Sequence, residues 1–383
     1  MSVFENLVGQ PHIVLALKDA VRSSQNGEET QEMTHAWLFT GPPGSGRSIA
    51  AVAFAAALIC PESGCGTCID CRSAKAGGHA DVEIMRTEGL SIKIDEVREL
   101  MQRVAWAPSV GAWRVVVIED ADRLTESAAS ALLKAIEEPG ARTVWLLCAP
   151  TLSDVLPTIR SRARHLQLRT PSNSEVAQVL IERDGISPGM ANFAARVSQG
   201  HIGRARYLAR DESIRSRRNV ILNLPLKITD ISSAFAAAST LLSLATEEAN
   251  FESAIKSERE TQELGAAWGQ GAIGRGMATG GAKALKDLEK EQKSRATRMI
   301  RDSLDGALLD LATLYRDVLM VQSGVAESLI NNEIMEQISK LASRLRPEKV
   351  LQKLDAIMHA RTNLSFSAAP LLTLEALMCA LYE

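Results

Sequence analysis

An α/β fold with a parallel sheet, followed by a helical second half, is the architecture this sequence predicts. Three observations carry it. Short apolar runs alternate with helical patterns up to about residue 150. Several runs are apolar at every position, as strands of a parallel sheet covered on both faces are. Beyond Pro171 the strand signals stop and only amphipathic helical stripes continue.

The first strand is Trp37-Leu38-Phe39, followed by a glycine-rich turn and a helix from about Ser48. Asp81 to Met85 is a second short strand. Asp95 is placed to cap a helix whose stripe is Val97, Leu100, Met101 and Val104, ended by Pro108. Val115 to Ile118 reads as a central strand. Thr125 caps a helix carrying Ala128, Leu132, Leu133 and Ile136, and Val144 to Leu147 is another buried strand. Next come a helix from Ser174 to Arg183, a second opened by Ser187-Pro188 and ended by Gly200, and a third from near Arg204. From Asp211 the chain is helical again, with stripes Leu304, Leu308, Leu311, Tyr315, Val318 and Val350, Leu351, Leu354, Ile357. Leu371 to Leu381 should be buried. Gly265 to Gly281 reads as a flexible loop, and the charged run Lys283 to Arg298 as a solvated helix.

A chain of 383 residues should hold two or three domains. With 46% apolar and 23% charged residues it has a globular mix. The formal net charge of −3 argues against a protein that grips DNA alone through many phosphates. The opening Met1-Ser2-Val3-Phe4-Glu5-Asn6 lacks a basic flank before an apolar run, so no signal peptide is expected. The longest apolar stretch, Ile49 to Cys60, is too short to span a bilayer and reads as a buried helix. A cytoplasmic location without membrane contact is expected.

Gly41-Pro42-Pro43-Gly44-Ser45-Gly46-Arg47-Ser48 lies between a strand and a helix, the context of a phosphate-binding loop. Gly41, Gly44 and Gly46 let backbone N–H groups turn toward a polyphosphate, the helix N-terminus adds partial positive charge, and Ser48 can reach Mg²⁺. Arg47 stands where lysine is expected, and its planar fork either holds phosphate or fills the pocket. The acidic pair after the central strand is Glu119-Asp120, the reverse of the usual order. Each carboxylate is then one methylene off, and a shift of about 1 Å can cost on the order of a hundredfold. ATP with Mg²⁺ is therefore not expected to turn over here. Cys60, Cys65, Cys68 and Cys71 place four thiols within twelve residues. In a reducing compartment this points to structural zinc, closed by four protein ligands, over a redox pair. His79 is close by but not needed as a ligand.

Beside these readings, the residues resemble the bacterial AAA+ clamp-loader subunits of DNA polymerase III. Phe4-Glu5-Asn6-Leu7-Val8-Gly9-Gln10 is similar to their adenine-side segment, and Thr34 to Phe39 to the strand before their phosphate loop. A zinc module directly after the phosphate-loop helix and the segment Ser130 to Pro139 are also similar. Thr158-Ile159-Arg160-Ser161-Arg162 resembles the stretch bearing an arginine finger, and Gly203-Arg204-Ala205 the lid helix with a nucleotide-sensing arginine. The resemblance is specific over about residues 1 to 210. It implies an AAA+ domain over 1–170 with the zinc module at 60–71. A helical lid over 171–212 and an all-helical oligomerisation collar over 213–383, with a flexible insertion at about 264–282, would follow. It further implies a ring with gamma/tau and delta subunits that loads the beta sliding clamp on primer–template DNA. In that ring Arg162 would be presented to a neighbour's ATP, and Arg204 would sense nucleotide. Three departures stand out: Arg47, the reversed Glu119-Asp120, and Ala163 where cysteine commonly follows the finger. The first two argue against the gamma/tau motor and for a non-hydrolysing accessory subunit of the polymerase, a nucleotidyltransferase complex.

Two other function classes are open. An active gamma/tau-like ATPase would turn over ATP alone. A zinc-dependent nucleic-acid-binding module with a relic phosphate loop would bind DNA alone, tightly and with strong salt dependence.

Overall fold

The computed structural model of the chain describes residues 2–25, 33–267, 281–325, 329–366 and 368–382. They form two compact units, Met1–Arg210 and Asp211–Glu383. The first unit runs from a short 3-10 turn at Val3–Asn6 through α1 (Pro11–Gln25), β1 (Ala36–Thr40), α2 (Arg47–Ile59), α3 (Ile69–Ala76) and β2 (Val82–Met85). It continues with α4 (Ile94–Val104), β3 (Arg114–Ile118), α5 (Glu126–Glu137), β4 (Thr143–Ala149), α6 (Pro157–Arg160) and β5 (Arg164–Gln167). Three helices close it: α7 (Asn173–Glu182), α8 (Pro188–Ser198) and α9 (Ile202–Arg210).

The strands form one parallel sheet in the order β2-β3-β4-β1-β5. Alternate residues divide between its two faces. Trp37, Phe39, Val115, Val117, Val144 and Leu146 pack with α1 and α2. Leu38, Val116, Ile118, Trp145 and Leu147 pack with α4 and α5. Helices on both faces are why these strands are apolar throughout. The result is the expected α/β architecture with a parallel sheet, the phosphate loop leaving β1 and Glu119 leaving β3 at the C-terminal ends of the strands, where such folds bind ligands.

Two local expectations are corrected, and one strand has no counterpart among them. Asp95 is not the cap of α4: Lys93 is, its N–H donating to the Glu96 carboxylate at 2.9 Å, and Asp95 lies in the first turn. Ile49 is 46% exposed although α2 is otherwise largely buried. The edge strand β5 has no apolar signature because its residues are half-buried or exposed. It is held by its pairing to β1, by Arg164 stacked 4.8 Å from the Trp37 ring, and by a 2.6 Å His165–Thr40 hydrogen bond.

Asp81, just before β2, is fully buried. Its carboxylate accepts N–H groups of Ser109, Val110 and Gly111, each at 2.7 Å, and Arg114 lies 3.4 Å away. Burial opposes ionisation, but these donors prevail and hold the carboxyl down to about 2 against an ordinary 3.8. A depressed carboxylate stabilises above its unfolded value, and that contribution is lost as pH falls through about 2. Asp81→Asn is therefore expected to cost about 2–4 kcal/mol at neutral pH. Thermal melts of both proteins at pH 7 and pH 3 check this: the gap should narrow at low pH, and equal melting at pH 7 would refute it.

The second unit is helical: α10 (Glu212–Asn223), α11 (Ile231–Ala267), α12 (Gly281–Gln322), α13 (Met335–Arg344), α14 (Pro347–Ser365) and α15 (Pro370–Tyr382). Leu304, Leu308, Leu311, Tyr315 and Val318 join Val350, Ile357, Leu374, Leu377 and Leu381 in one core. Leu351 is exposed rather than buried with its stripe, and the terminal stretch is not uniformly buried, since Leu372 is 67% exposed. Of the expected insertion over 264–282, residues 268–280 lie outside the described residues. The charged run after it is not wholly solvated. Arg295 is buried and grips Glu260 through two bonds of 2.9 and 2.6 Å, which ties α12 to α11. A second buried polar network ties α10, α12 and the segment before α13. Arg218 donates to Asp310 at 3.0 Å and to Asn331, while Asp317 accepts the N–H groups of Ile330 and Asn331.

Candidate nucleotide site and metal centre

The phosphate loop leads directly into α2, with Gly46 at the cap and Arg47 the first helical residue, so backbone N–H groups open toward the loop. Gly44 has φ +85°, and a Cβ there would lie 2.6 Å from both Cα and Cγ of His201. Glycine is thus required both by the turn and by a histidine that sits on the loop from the residue before α9. His201 Nδ1 accepts the Arg204 N–H at 3.1 Å, which puts the ring proton on Nε2. Burial, and to a lesser degree Arg204, push its pKa down, so the ring is neutral near pH 7.

The Ser45 hydroxyl and the Nη1 atom of Arg47 are buried with no hydrogen-bond partner among the described residues. Both belong to the loop that would face phosphate. Ser48 and Glu119 line one groove of about 250 Å³ together with Val3, Asn6, Ile49, Val52, Ala53, Lys75 and Arg86. Glu119 is paired there: Arg86 Nε lies 3.0 Å from its carboxylate. Burial first, and the neighbouring Asp120 next, raise the pKa of Asp122, with Arg47 pulling the other way. The structure therefore brings Gly41, Gly44, Gly46, Arg47, Ser48, Glu119 and Asp120 to one end of the sheet. Arg204 is tied to this loop through its backbone, whose N–H donates to the His201 ring that sits on Gly44.

Arg162 follows α6 at an exposed position. Its Nη2 lies 2.7 Å from Glu137 at the end of α5, and Nη1 donates to the Thr158 carbonyl at 2.9 Å. Both partners are half-exposed, so the pair is worth at most about 1 kcal/mol.

Cys60 closes α2, Cys68 caps α3 and Cys71 lies in its first turn. With Cys65, their sulfurs all lie within 4.8 Å of one another and can hold a metal ion. Cys60 Sγ is 3.8 Å from Cys65 Sγ and 3.7 Å from Cys68 Sγ. Backbone N–H groups of Gly66, Cys68 and Cys71 point at Cys71, Cys65 and Cys68 sulfurs at 3.3–3.4 Å. Donors at Thr67 and Cys68 hold the Cys65 thiol down to about 6, whereas burial pushes Cys71 up. A divalent cation reverses that penalty by taking the thiolate directly. His79 stands apart from this set. It is buried, its Nδ1 accepts the Asp81 N–H at 3.0 Å, and its Nε2 lies 3.6 Å from Asp70.

His201 and Arg86 carry no sequence signal, because what matters is their contact with Gly44 and Glu119 across the fold. An arginine directly after a short strand is otherwise ordinary.

No described helix is long and apolar enough to cross a membrane. The family described as DNA polymerase III, delta subunit, matches residues 17–172, and that described as DNA polymerase III, delta subunit, C terminal, matches residues 300–380. The DNA polymerase III subunit delta' of Bacillus subtilis is 32% identical over 200 residues, 51% of this chain and 60% of that one. The subunit delta' of Pseudomonas aeruginosa is 39% identical over 145 residues, 36% of this chain and 44% of that one. The subunit gamma/tau of Mycobacterium bovis is 31% identical over 171 residues, 43% of this chain and 28% of that one. The chain thus spans 60% of the first relative's length and less of the other two. With both delta-subunit regions matched, the chain belongs to the DNA polymerase III delta'/gamma/tau family.

Proposed function

We propose that the chain serves as a delta'-type, non-hydrolysing subunit of a DNA polymerase III clamp loader. It would assemble with gamma/tau and delta subunits, help load the beta sliding clamp on primed DNA, and offer Arg162 to a neighbour's ATP. The observation that carries the non-hydrolysing role is Glu119 held by Arg86 in a site whose loop bears Arg47. A carboxylate bound by a guanidinium is a poor base for water, and the reversed pair misplaces it further.

The unsatisfied Ser45 hydroxyl and Arg47 Nη1 favour a loop that holds phosphate over one filled by its own arginine. Nucleotide would then bind and stay intact. The isolated chain should show negligible ATP turnover, and Arg47→Lys alone should not restore it, since Glu119-Asp120 remains reversed and Glu119 remains paired. Steady-state hydrolysis assays check this; turnover near that of a working AAA+ motor would refute the reading.

For the cysteine centre we propose structural zinc. Four thiolates at about 2.3 Å around a tetrahedral ion sit about 3.8 Å apart, close to the 3.7 and 3.8 Å separations of Cys60 from Cys68 and Cys65. All four positions come from protein, so the ion would brace the loop and take no part in a reaction.

A further inference from the structure

Residues 3–10 touch, in turn, the cysteine loop, the phosphate loop and α7. At one end Val3 donates its N–H to the Gly64 carbonyl at 3.1 Å. Gly64 has φ +95°, and a Cβ there would fall 2.7 Å from Val3 Cγ2, so the loop backbone and Val3 are in closest approach. The same loop is stitched to the end of α1, where Ser63 donates to Gln25 at 2.7 Å and Gln25 to the Cys60 carbonyl at 3.4 Å. Further along, Leu7 lies against Gly46, and the buried Gln10 donates to the carbonyls of Ser45 at 3.3 Å and Arg169 at 2.7 Å. On the α7 side, Arg183 donates to the Asn6 side chain at 2.9 Å and the Glu5 carbonyl at 2.8 Å. Glu175, within α7, packs against Gly9 and is gripped by Arg169.

We propose that residues 3–10 are a strap through which the four-cysteine loop holds α7 against the phosphate loop, so that the state of the metal centre sets the mobility of the helices above that loop. The loop from Cys60 to Cys71 contributes few buried side chains of its own, so its shape depends on the ion it is built to hold. When it loosens, Val3 loses its anchor. A segment that loses its tie at one end loosens from that end, and Arg183 then loses both acceptors on residues 5 and 6. Glu5, Asn6 and Gly9 reach α7 while Leu7 and Gln10 reach the phosphate loop, so release at Val3 travels to both.

The inference rests on the metal reading, and its test separates the two. Hydrogen exchange is followed in the full-length chain, as purified and after metal is displaced from the thiols with an organomercurial and captured by a chelator. Stripping should speed exchange in residues 2–10 and 173–183 by at least about tenfold along with 60–71, and leave β3 and β4 unchanged. Acceleration confined to 60–71 would overturn the proposal. Val3→Gly leaves every cysteine in place; metal content should stay at the wild-type level while 2–10 and 173–183 exchange faster. Protection of both segments in that variant would equally overturn it. Should Val3→Gly fold poorly, Arg183→Gln must free 173–183 with metal content intact, and unchanged exchange there would refute the strap. A chain purified without metal would sink the metal reading and with it the coupling to the metal, while the two variants would still decide whether the strap exists.

Discussion

In a reconstituted clamp-loader complex, Arg162→Ala is expected to lower DNA- and clamp-stimulated ATP hydrolysis and clamp loading while folding, metal content and assembly stay intact. A trans arginine stabilises charge on the transferring phosphoryl group, and its loss can cost roughly a thousandfold or more at the site it serves. Only one site in the ring would be served by this chain, so the complex should lose part of its activity. The geometry makes the role attainable at small cost. Arg162 is anchored by its Thr158 bond, and its Glu137 partner is a half-exposed surface pair that a phosphate can displace. Glu137→Gln should accordingly leave loading unimpaired. Arg162→Lys should rescue poorly, because it keeps the charge and loses the planar fork. Loading at the normal rate by the Arg162→Ala complex would show that the arginine serves only its surface pair.

The second large effect is expected at Cys68, which is both a member of the sulfur cluster and the cap of α3. Chain purified without chelator should carry about one zinc per molecule, and Cys68→Ser should lose most of it. The coordination of structural zinc is worth on the order of 10 kcal/mol in small domains. Here the loss should fall on the 60–76 segment and on the residues strapped to it: a lower unfolding temperature there and a rise in reactive thiols, with no chemical step abolished. Elemental analysis and thiol titration check this. Less than about half an equivalent of metal in the wild-type chain would count heavily against a structural site.

What was legible in the sequence follows a physical pattern. The three inner strands β3, β4 and β1 were readable because a sheet covered on both faces must be apolar almost throughout, as Val115 to Ile118 are. The phosphate loop and the cysteines were readable because their chemistry needs fixed spacings. β5 escaped because an edge strand with half-exposed residues needs no apolar pattern, and Arg164 holds its place by stacking on Trp37. Asp81 looked like the start of a strand. Its work is done by backbone N–H groups about thirty residues away, which a side-chain pattern does not encode. His201 on Gly44 and Arg86 on Glu119 were hidden for the same reason. The charged run read as solvated conceals Arg295, whose partner Glu260 lies on the preceding helix.

The most direct test of the account is clamp loading by a complex assembled from gamma/tau, delta and this chain, measured with ATP, beta clamp and primed DNA. The account predicts that this chain turns over no ATP alone, joins the complex, and is required for efficient loading. Equal loading without the chain, or failure of the chain to bind gamma/tau and delta at all, would contradict it.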